Sequence, residues 1–276
     1  PTRPCRSGAG AHVRCLQTVP PLEFNGRRWA LGPAHETQPL RALELATLNV
    51  WFEPHERARR TGALRELLRD DALDVVCLQE LTPEVFGVLL ETPFIQDEMT
   101  VVSSLGTYGC AILSRLPVSS GAELELPSSM DRTLLAARIG DCTIATTHLE
   151  STRAMRGARV HQLEVLFDAL RSEPNVVLCG DFNFDPSEPE EAAIAANVHD
   201  VWPRVCPEQP GYTEDTTRNS MRRRAHGGRD KHVRYDRILT HAAWTPRNAQ
   251  LFGDDPIAPG LFVSDHFGVR ASLIRR

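Results

Sequence analysis

The hydrophobic pattern changes character near residue 40. Residues 1–40 are rich in Pro, Gly and Arg and hold no sustained period. They predict an N-terminal extension or linker, partly irregular, with at most a short ordered piece over 24–31. From residue 41 the apolar positions become regular. Alternation over 43–48 predicts a strand. Pro54 suits the first turn of a helix, and Thr61, Leu64 and Leu68 follow at helical spacing. The apolar run 75–78 predicts a short buried strand. Segments 109–114, 118–126, 133–139 and 143–147 read as successive strands with turn residues between them. Val160, Leu163, Phe167 and Leu170 mark one face of a helix. A buried strand over 176–179 follows, and 234–239, 249–252 and 267–273 close the chain as strands. Strands dominate the middle and helices recur between them. That predicts an α/β protein in which two packed sheets carry helices outside, as one domain over 41–276.

Composition narrows the class without naming a function. The 276 residues are 41% hydrophobic and 24% charged, the balance of a soluble globular chain able to bury a core unaided. A formal charge of −5 means that any nucleic-acid binding needs a local basic patch. No run of about 18 apolar residues is present, so no membrane helix and no membrane partner are expected. The start, PTRPCRSGAG, has no apolar h-region and no initiator methionine; it predicts processing, or a module of a larger multidomain protein. The seven cysteines are scattered, with no CxxC pair, and Cys77, Cys142 and Cys179 fall inside apolar strand runs. This predicts a reducing intracellular compartment, cytoplasmic or nuclear, and no secretion.

The chemistry gathers where apolar runs end. Asn49 follows LELATL, Gln79 and Glu80 follow DVVCL, His148 and Glu150 follow CTIATT, and Asp181 and Asn183 follow VVLCG. Ser264, Asp265 and His266 sit just before FGVRASL, and Asp236 lies inside VRYDRIL. A polar group at the end of a buried strand is costly unless it is paired, solvated or bound to an ion. Any one of these is an ordinary capped turn. Six of them predict a single rim where loops converge. Glu80, Asp181 and Asp265 are hard oxygen ligands of the kind Mg²⁺ takes, with Mn²⁺ as the alternative; the amides and histidines can orient water and phosphoryl oxygens. Two other readings fail. Asp181-Phe182-Asn183-Phe184-Asp185 opens like a calcium loop, but Pro186 and Ala192 stand where that loop needs Gly and Glu. Ser264, Asp265 and His266 are adjacent in sequence, and no G-x-S-x-G elbow exists to make them a serine triad.

Taken in order, TLNVW, CLQE, TTHLE, GDFN, YDRIL and SDHFGV resemble the endonuclease/exonuclease/phosphatase superfamily, across residues 43–270. THLESTR, DRTLL, HDVW and YTEDT followed by Asn219 and Ser220 are most similar to its 5′-tyrosyl-DNA phosphodiesterase branch. The resemblance implies the DNase I-like four-layer sandwich of two mixed sheets flanked by helices, and a Mg²⁺-dependent phosphodiesterase acting at nucleic-acid ends. It implies Glu80 as principal metal ligand with Asn49 and Asp265 close by. Asp181 and Asn183 would align or deprotonate the attacking water. His266, held by Asp236, would donate to the phosphate, and His148, Arg153 and Arg132 would bind it, with Ser264 nearby. Two positions depart from the pattern. Trp51 stands where the family has an acidic residue, which favours one metal. Glu214 stands where the branch has an aromatic residue, which alters the surface that would hold the substrate.

The stretch 221–237 is a basic island on an acidic chain, with Arg222, Arg223, Arg224, Arg229, Lys231 (the only lysine), Arg234 and Arg237. It is either a solvated charge run or an electrostatic grip on a DNA or RNA backbone. Its place immediately before Asp236 favours the grip. It lacks interleaved aromatics, so backbone contacts are expected over base reading. Other readings stay open. They are an RNA-end phosphatase (on a 2′,3′-cyclic phosphate, for example), a 3′ exonuclease or endonuclease, a phosphoinositide or phospholipid phosphoesterase, and a non-catalytic nucleic-acid-binding module.

Overall fold

The computed structural model describes residues 16–32, 38–70, 72–225 and 227–275. In chain order the first half contains β1 (Gln17–Val19), β2 (Leu22–Phe24), β3 (Trp29–Leu31), β4 (Ala42–Asn49), α1 (Arg57–Leu68), β5 (Val75–Leu81), α2 (Pro83–Leu90), α3 (Pro93–Glu98), β6 (Thr100–Leu105), β7 (Gly109–Ser114) and β8 (Val118–Glu125). The second half contains β9 (Thr133–Ile139), β10 (Cys142–His148), α4 (Arg156–Leu170), β11 (Val176–Asp181), β12 (Val198–Asp200), α5 (Trp202–Val205), β13 (Glu214–Asp215), α6 (Ser220–Ala225), β14 (His232–Val233), β15 (Asp236–His241), β16 (Trp244–Phe252) and β17 (Gly268–Arg275).

Two mixed sheets result. One has the order β1-β8-β9-β10-β11-β15-β12, the other β16-β17-β4-β5-β7-β6-β2-β3. Each contains one parallel pair, β10 with β11 and β4 with β5, and each pair is joined by a crossover helix, α4 and α1. Leu45, Cys77, Ile112, Leu135, Ile144 and Val177 share the core between the sheets. Leu64 and Leu68 of α1 pack with β4 and β5 on one outer face, and Leu163 and Leu166 of α4 pack with β10 and β11 on the other. These are the four layers of the DNase I-like sandwich. Among the described residues, no helix is long and apolar enough to cross a membrane.

Three parts of the sequence expectation change. Residues 1–15 and 33–37 lie outside the described residues, but the rest of the expected extension is built into the sheets. β1 pairs with β8, and the β2–β3 hairpin extends the other sheet by pairing with β6. Its turn is set by Asn25 and Gly26; Asn25 Oδ1 accepts from the amides of Arg27 at 3.2 Å and Arg28 at 3.1 Å. Second, α2 and α3 fill residues 83–98, which carried no expectation. Both begin at a Thr-Pro pair that places proline in the first helical turn. Third, β6 adds a strand beside β7, and short β12, β13 and β14 edge the region near the basic island. Cys77, Cys110, Cys142, Cys179 and Cys206 are free thiols, the first four buried.

Candidate active site

The two parallel pairs end at the same height, and that puts chemistry side by side. Asn49 is in register with Gln79, and His148 with Asp181; Asp181 is in turn opposite Asp236. Beneath them Gln79 Nε2 reaches across the gap between sheets to Thr146 Oγ1 at 2.9 Å, and within its own sheet it meets Thr47 Oγ1 at 3.0 Å. The two sheets are therefore tied together directly under the site. Gly180 permits the approach. Its φ is +136°, and a Cβ there would lie 1.9 Å from the Thr147 carbonyl oxygen. Trp51 and Asn183, just past the ends of β4 and β11, and Glu80, in the irregular stretch of β5 between Leu78 and Leu81, have left-handed backbones, at φ 60°, 55° and 56°. Asn tolerates that conformation; Trp and Glu do so at a cost of about 1–3 kcal/mol each, strain of the kind that collects at functional sites.

Asn49 is the hub. Its Nδ2 donates to Glu80 Oε1 at 3.1 Å and Asp181 Oδ2 at 3.0 Å, while its Oδ1 accepts from the Trp51 amide at 3.0 Å. Glu80 also accepts from the Phe52 amide at 3.1 Å. Asp181 accepts from the Asn183 amide at 2.9 Å, and Asn183 Nδ2 donates to the Leu149 carbonyl at 3.0 Å. Burial opposes the charge on Asp181, but the two facing imidazoles and these hydrogen bonds hold its pKa below the usual carboxylate value.

The histidines stand on either side of Asp181. His148 Nε2 is 3.5 Å from Asp181 Oδ2, and Arg132 Nη1 is 2.8 Å from His148 Nδ1. Burial and then Arg132 push the His148 pKa down to about 3, so the ring is neutral. His266 Nδ1 is 2.8 Å from Asp236 Oδ2. Burial works against its charge, but Asp236, Asp181 and Asp265 raise its pKa to about 10. Asp236 itself is pushed up to about 6, chiefly by burial, and its Oδ1 is buried without a hydrogen-bond partner.

Which groups suit a metal follows from this arrangement. Asp181, Asp236 and His266 bring donor atoms within 4.8 Å of one another. His266 Nδ1 is committed to Asp236, however, so this trio is a carboxylate–imidazole pair beside a second carboxylate. Glu80 and Asp265 offer oxygen only, as a hard divalent cation prefers. Burial pushes the Asp265 carboxyl up, and Glu80 and Glu214 push it the same way against His266 and Arg222. That crowding of negative charge is what a bound cation would offset, so the residues present fit one.

A cleft of about 860 Å³ opens over these groups, lined among others by Arg153, Tyr212, Arg222, Lys231 and Tyr235. Arg222 reaches inward. Its Nη1 donates to Asp265 Oδ2 at 2.9 Å, and its Nε lies 2.9 Å from Glu214 Oε1. Burial opposes the charge on Glu214, but Arg222, His266 and Lys231 lower its pKa to about 2.

Other candidates for substrate contact are engaged elsewhere. Ser264 is fully buried, and its hydroxyl donates to the Asn49 carbonyl at 2.5 Å, pinning one loop to another. Arg132 is 5% exposed and sits behind His148, with Nη2 on Ser151 Oγ at 2.9 Å. Arg234 pairs with Asp200 at 2.7 Å, and Arg223 with Asp230 at 3.4 Å. Arg229 is exposed on the loop after α6; the side chain of Arg224 lies outside the described residues.

The structure also adds residues without a sequence signal. Arg60, on α1, gives all five N–H donors to backbone carbonyls: Val50, Trp51, Glu53, His55 and Val263. Its guanidinium lies 4.6 Å from the Trp51 ring centroid, and burial lowers its pKa to about 10. It clamps the loops that carry Asn49 and Asp265. Aromatic rings do line the cleft: Tyr235 comes from the basic island itself, and Phe52 and Tyr212 from outside it. Phe52 lies beside Glu80 and stacks on Tyr108 at 5.0 Å between centroids.

The model of the endonuclease/exonuclease/phosphatase family matches residues 46–266, which is most of the chain and runs from the second half of β4 to the closing histidine. The chain belongs to the endonuclease/exonuclease/phosphatase family. Within this family it is 29% identical over 217 residues to human tyrosyl-DNA phosphodiesterase 2, covering 72% of this chain and 59% of that protein. It is 30% identical over 230 residues to the Xenopus laevis protein of the same name, covering 77% and 61%. The chain thus spans about three fifths of the length of these curated relatives. Among solved structures it is similar to Danio rerio TDP2 complexed with single strand DNA product, with a TM-score of 0.75 and 27% identity over 84% of this chain and 98% of that one.

Proposed function

We propose that this endonuclease/exonuclease/phosphatase-family chain is a divalent-metal-dependent phosphodiesterase acting at nucleic-acid ends. The observation that carries the proposal is the convergence of Glu80, Asp181, Asn49, His148 and His266 at the ends of two parallel strand pairs, under one cleft. The likeness to the tyrosyl-DNA phosphodiesterase 2 proteins supports the substrate class.

Glu80 and Asp265 hold the metal, Mg²⁺ or Mn²⁺, with Asn49 fixing the Glu80 carboxylate. An ion held there by Glu80 and Asp265 would supply Lewis acidity to a phosphoryl oxygen and offset its negative charge. Asp181, kept ionised by its surroundings, accepts a proton from the attacking water; Asn183 offers its amide oxygen to align that water, since its Nδ2 is bonded to Leu149. His148, neutral, carries its proton on Nε2, because Arg132 can only donate to Nδ1. It donates that proton to one phosphoryl oxygen as a hydrogen bond. His266, cationic through Asp236, does the same on the other side. Arg153 and Lys231 add positive charge at the mouth. The direct test is hydrolysis of end-labelled oligonucleotides with and without Mg²⁺. Metal-dependent release from an end supports the reading; no hydrolysis of any end under Mg²⁺ or Mn²⁺ rejects it.

A further inference from the structure

The segment from β13 through α6 to β14 closes one flank of the cleft, and its innermost group is a carboxylate. Glu214 is fully buried there. Arg222 holds it with Nε 2.9 Å from Oε1 and Nη2 3.2 Å from Oε2, and Lys231 Nζ lies 3.1 Å from Oε2. The third nitrogen of Arg222 is on Asp265. The guanidinium is thereby fixed between two carboxylates and joins this flank to the proposed metal ligand. Lys231 differs. Its side chain is 30% exposed, it lines the cleft, and its ammonium lies 4.7 Å from the centroid of the Tyr235 ring. An ammonium has three N–H donors; Glu214 takes one and the Tyr235 hydroxyl engages another, which leaves a third for a ligand.

Two kinds of group meet this flank very differently. A neutral aromatic ring pressed against it strips water from Lys231 and its ion pair and returns no hydrogen bond; what it offers is a cation–π contact, which Tyr235 already supplies. A phosphate accepts the remaining Lys231 proton in a charge-assisted bond and replaces the lost water. Arg222 contributes by neutralising Glu214, whose carboxylate would otherwise repel an anion at that place.

We infer that the flank built by Glu214, Arg222 and Lys231 is a subsite for a second phosphate beside the scissile one, so that the group cleaved from the nucleic-acid end is a phosphorylated nucleotide in preference to a tyrosyl phenol. This rests on the phosphodiesterase reading proposed above and specifies its substrate. Water adds its oxygen to phosphorus, the phosphorus–oxygen bond to the leaving sugar breaks, and the proton released from water balances the one the departing oxygen gains. The products are a phosphomonoester and an alcohol.

Three oligonucleotides of one sequence test this. One ends in a 5′-tyrosyl phosphate. The second carries one further nucleotide at that position, joined by an ordinary phosphodiester and bearing its own 5′-phosphate. The third is the second without that terminal phosphate. The terminal phosphate is expected to raise kcat/KM roughly tenfold or more over the third oligonucleotide, as a charge-assisted hydrogen bond would, and to make the second bind more tightly than the tyrosyl one. Lys231→Met should erase the gain, and Lys231→Arg should restore most of it. The inference is overturned if the tyrosyl oligonucleotide binds as tightly as the phosphorylated one, if removing the terminal phosphate leaves kcat/KM unchanged, or if Lys231→Met keeps the gain. Equilibrium affinities of the same oligonucleotides in EDTA separate the two claims. If nothing is hydrolysed but the terminal phosphate still tightens binding through Lys231, the subsite stands and the hydrolytic reading fails. If hydrolysis occurs without discrimination, the subsite fails alone.

Discussion

His148 and His266 face the same carboxylate, Asp181, yet they are held in opposite protonation states. The difference lies in what stands behind each ring. A guanidinium behind His148 rules out a proton on Nδ1 and opposes the cation; a carboxylate behind His266 favours it. Arg132 is therefore a positioning residue for His148. Arg132→Met should lower kcat on the order of 10²-fold, as loss of an oriented donor does, with little change in KM. Ring-nitrogen NMR should then show the His148 proton no longer confined to Nε2; an unchanged tautomer with unchanged kcat would contradict this role. His266→Ala should cost kcat roughly 10²–10³-fold under saturating metal, and a smaller loss than tenfold would remove His266 from the reaction. At this scale the sequence was informative about identity and less so about use. Asn49, Glu80, Asp181 and His266 stood out because polar groups at buried strand ends need a reason. Ser264 and Arg132 were equally visible, but only geometry shows that they support their neighbours. Arg60 had no signal at all, since an arginine among Arg57 and Arg59 on a helix reads as solvated charge.

The strand ends owe their height to a few local features. The β10–β11 register brings His148 opposite Asp181, and Gly180 lets the two backbones approach. Gly180→Ala would place a methyl group against the Thr147 carbonyl in a backbone conformation that disfavours side chains. The expected loss is about 3 kcal/mol, the upper part of the range for overpacking, read as a lower denaturant midpoint. A wild-type midpoint would mean that the strands separate there at no cost. The central strands were legible because each is a long apolar run with a clear end. The β2–β3 hairpin was not, because three-residue strands are too short to show a period; the Asn25-Gly26 turn was the available signal. The Thr82-Pro83 and Thr92-Pro93 pairs likewise marked the starts of α2 and α3, but the apolar residues of α2 are too dense for an amphipathic stripe and α3 is too short to show one. The pairing of Glu214 with Arg222 and Lys231 depends on a turn of chain between β13 and β14, which no local pattern encodes.

The molecule as a whole carries a formal charge of −5, and its cleft sets Arg153, Arg222 and Lys231 beside the carboxylates of Glu80, Asp181 and Asp265. Its acid stability should report the buried carboxylates. Glu190 is fully buried on Arg159 at 2.6 Å; burial opposes its charge, but Arg159 holds its pKa below 4.5. Glu214 is held at about 2. A carboxyl depressed in the folded state stabilises fully above its unfolded pKa, and that stability is lost as pH falls through the folded value. Thermal unfolding should therefore show these contributions intact at pH 6 and falling from about pH 4.5 towards pH 2. Glu190→Gln should flatten that fall, and an unaltered profile would exclude the Glu190 pair as a contributor. The central claim is that the converging strand ends form one metal-dependent phosphodiesterase site, and single-turnover cleavage of an end-labelled oligonucleotide by wild type and Glu80→Gln tests it most directly. Wild type should release the end rapidly in Mg²⁺ and not at all in EDTA, and a folded Glu80→Gln protein should lose at least roughly 10²-fold. Undiminished cleavage in EDTA, or by Glu80→Gln, would contradict it.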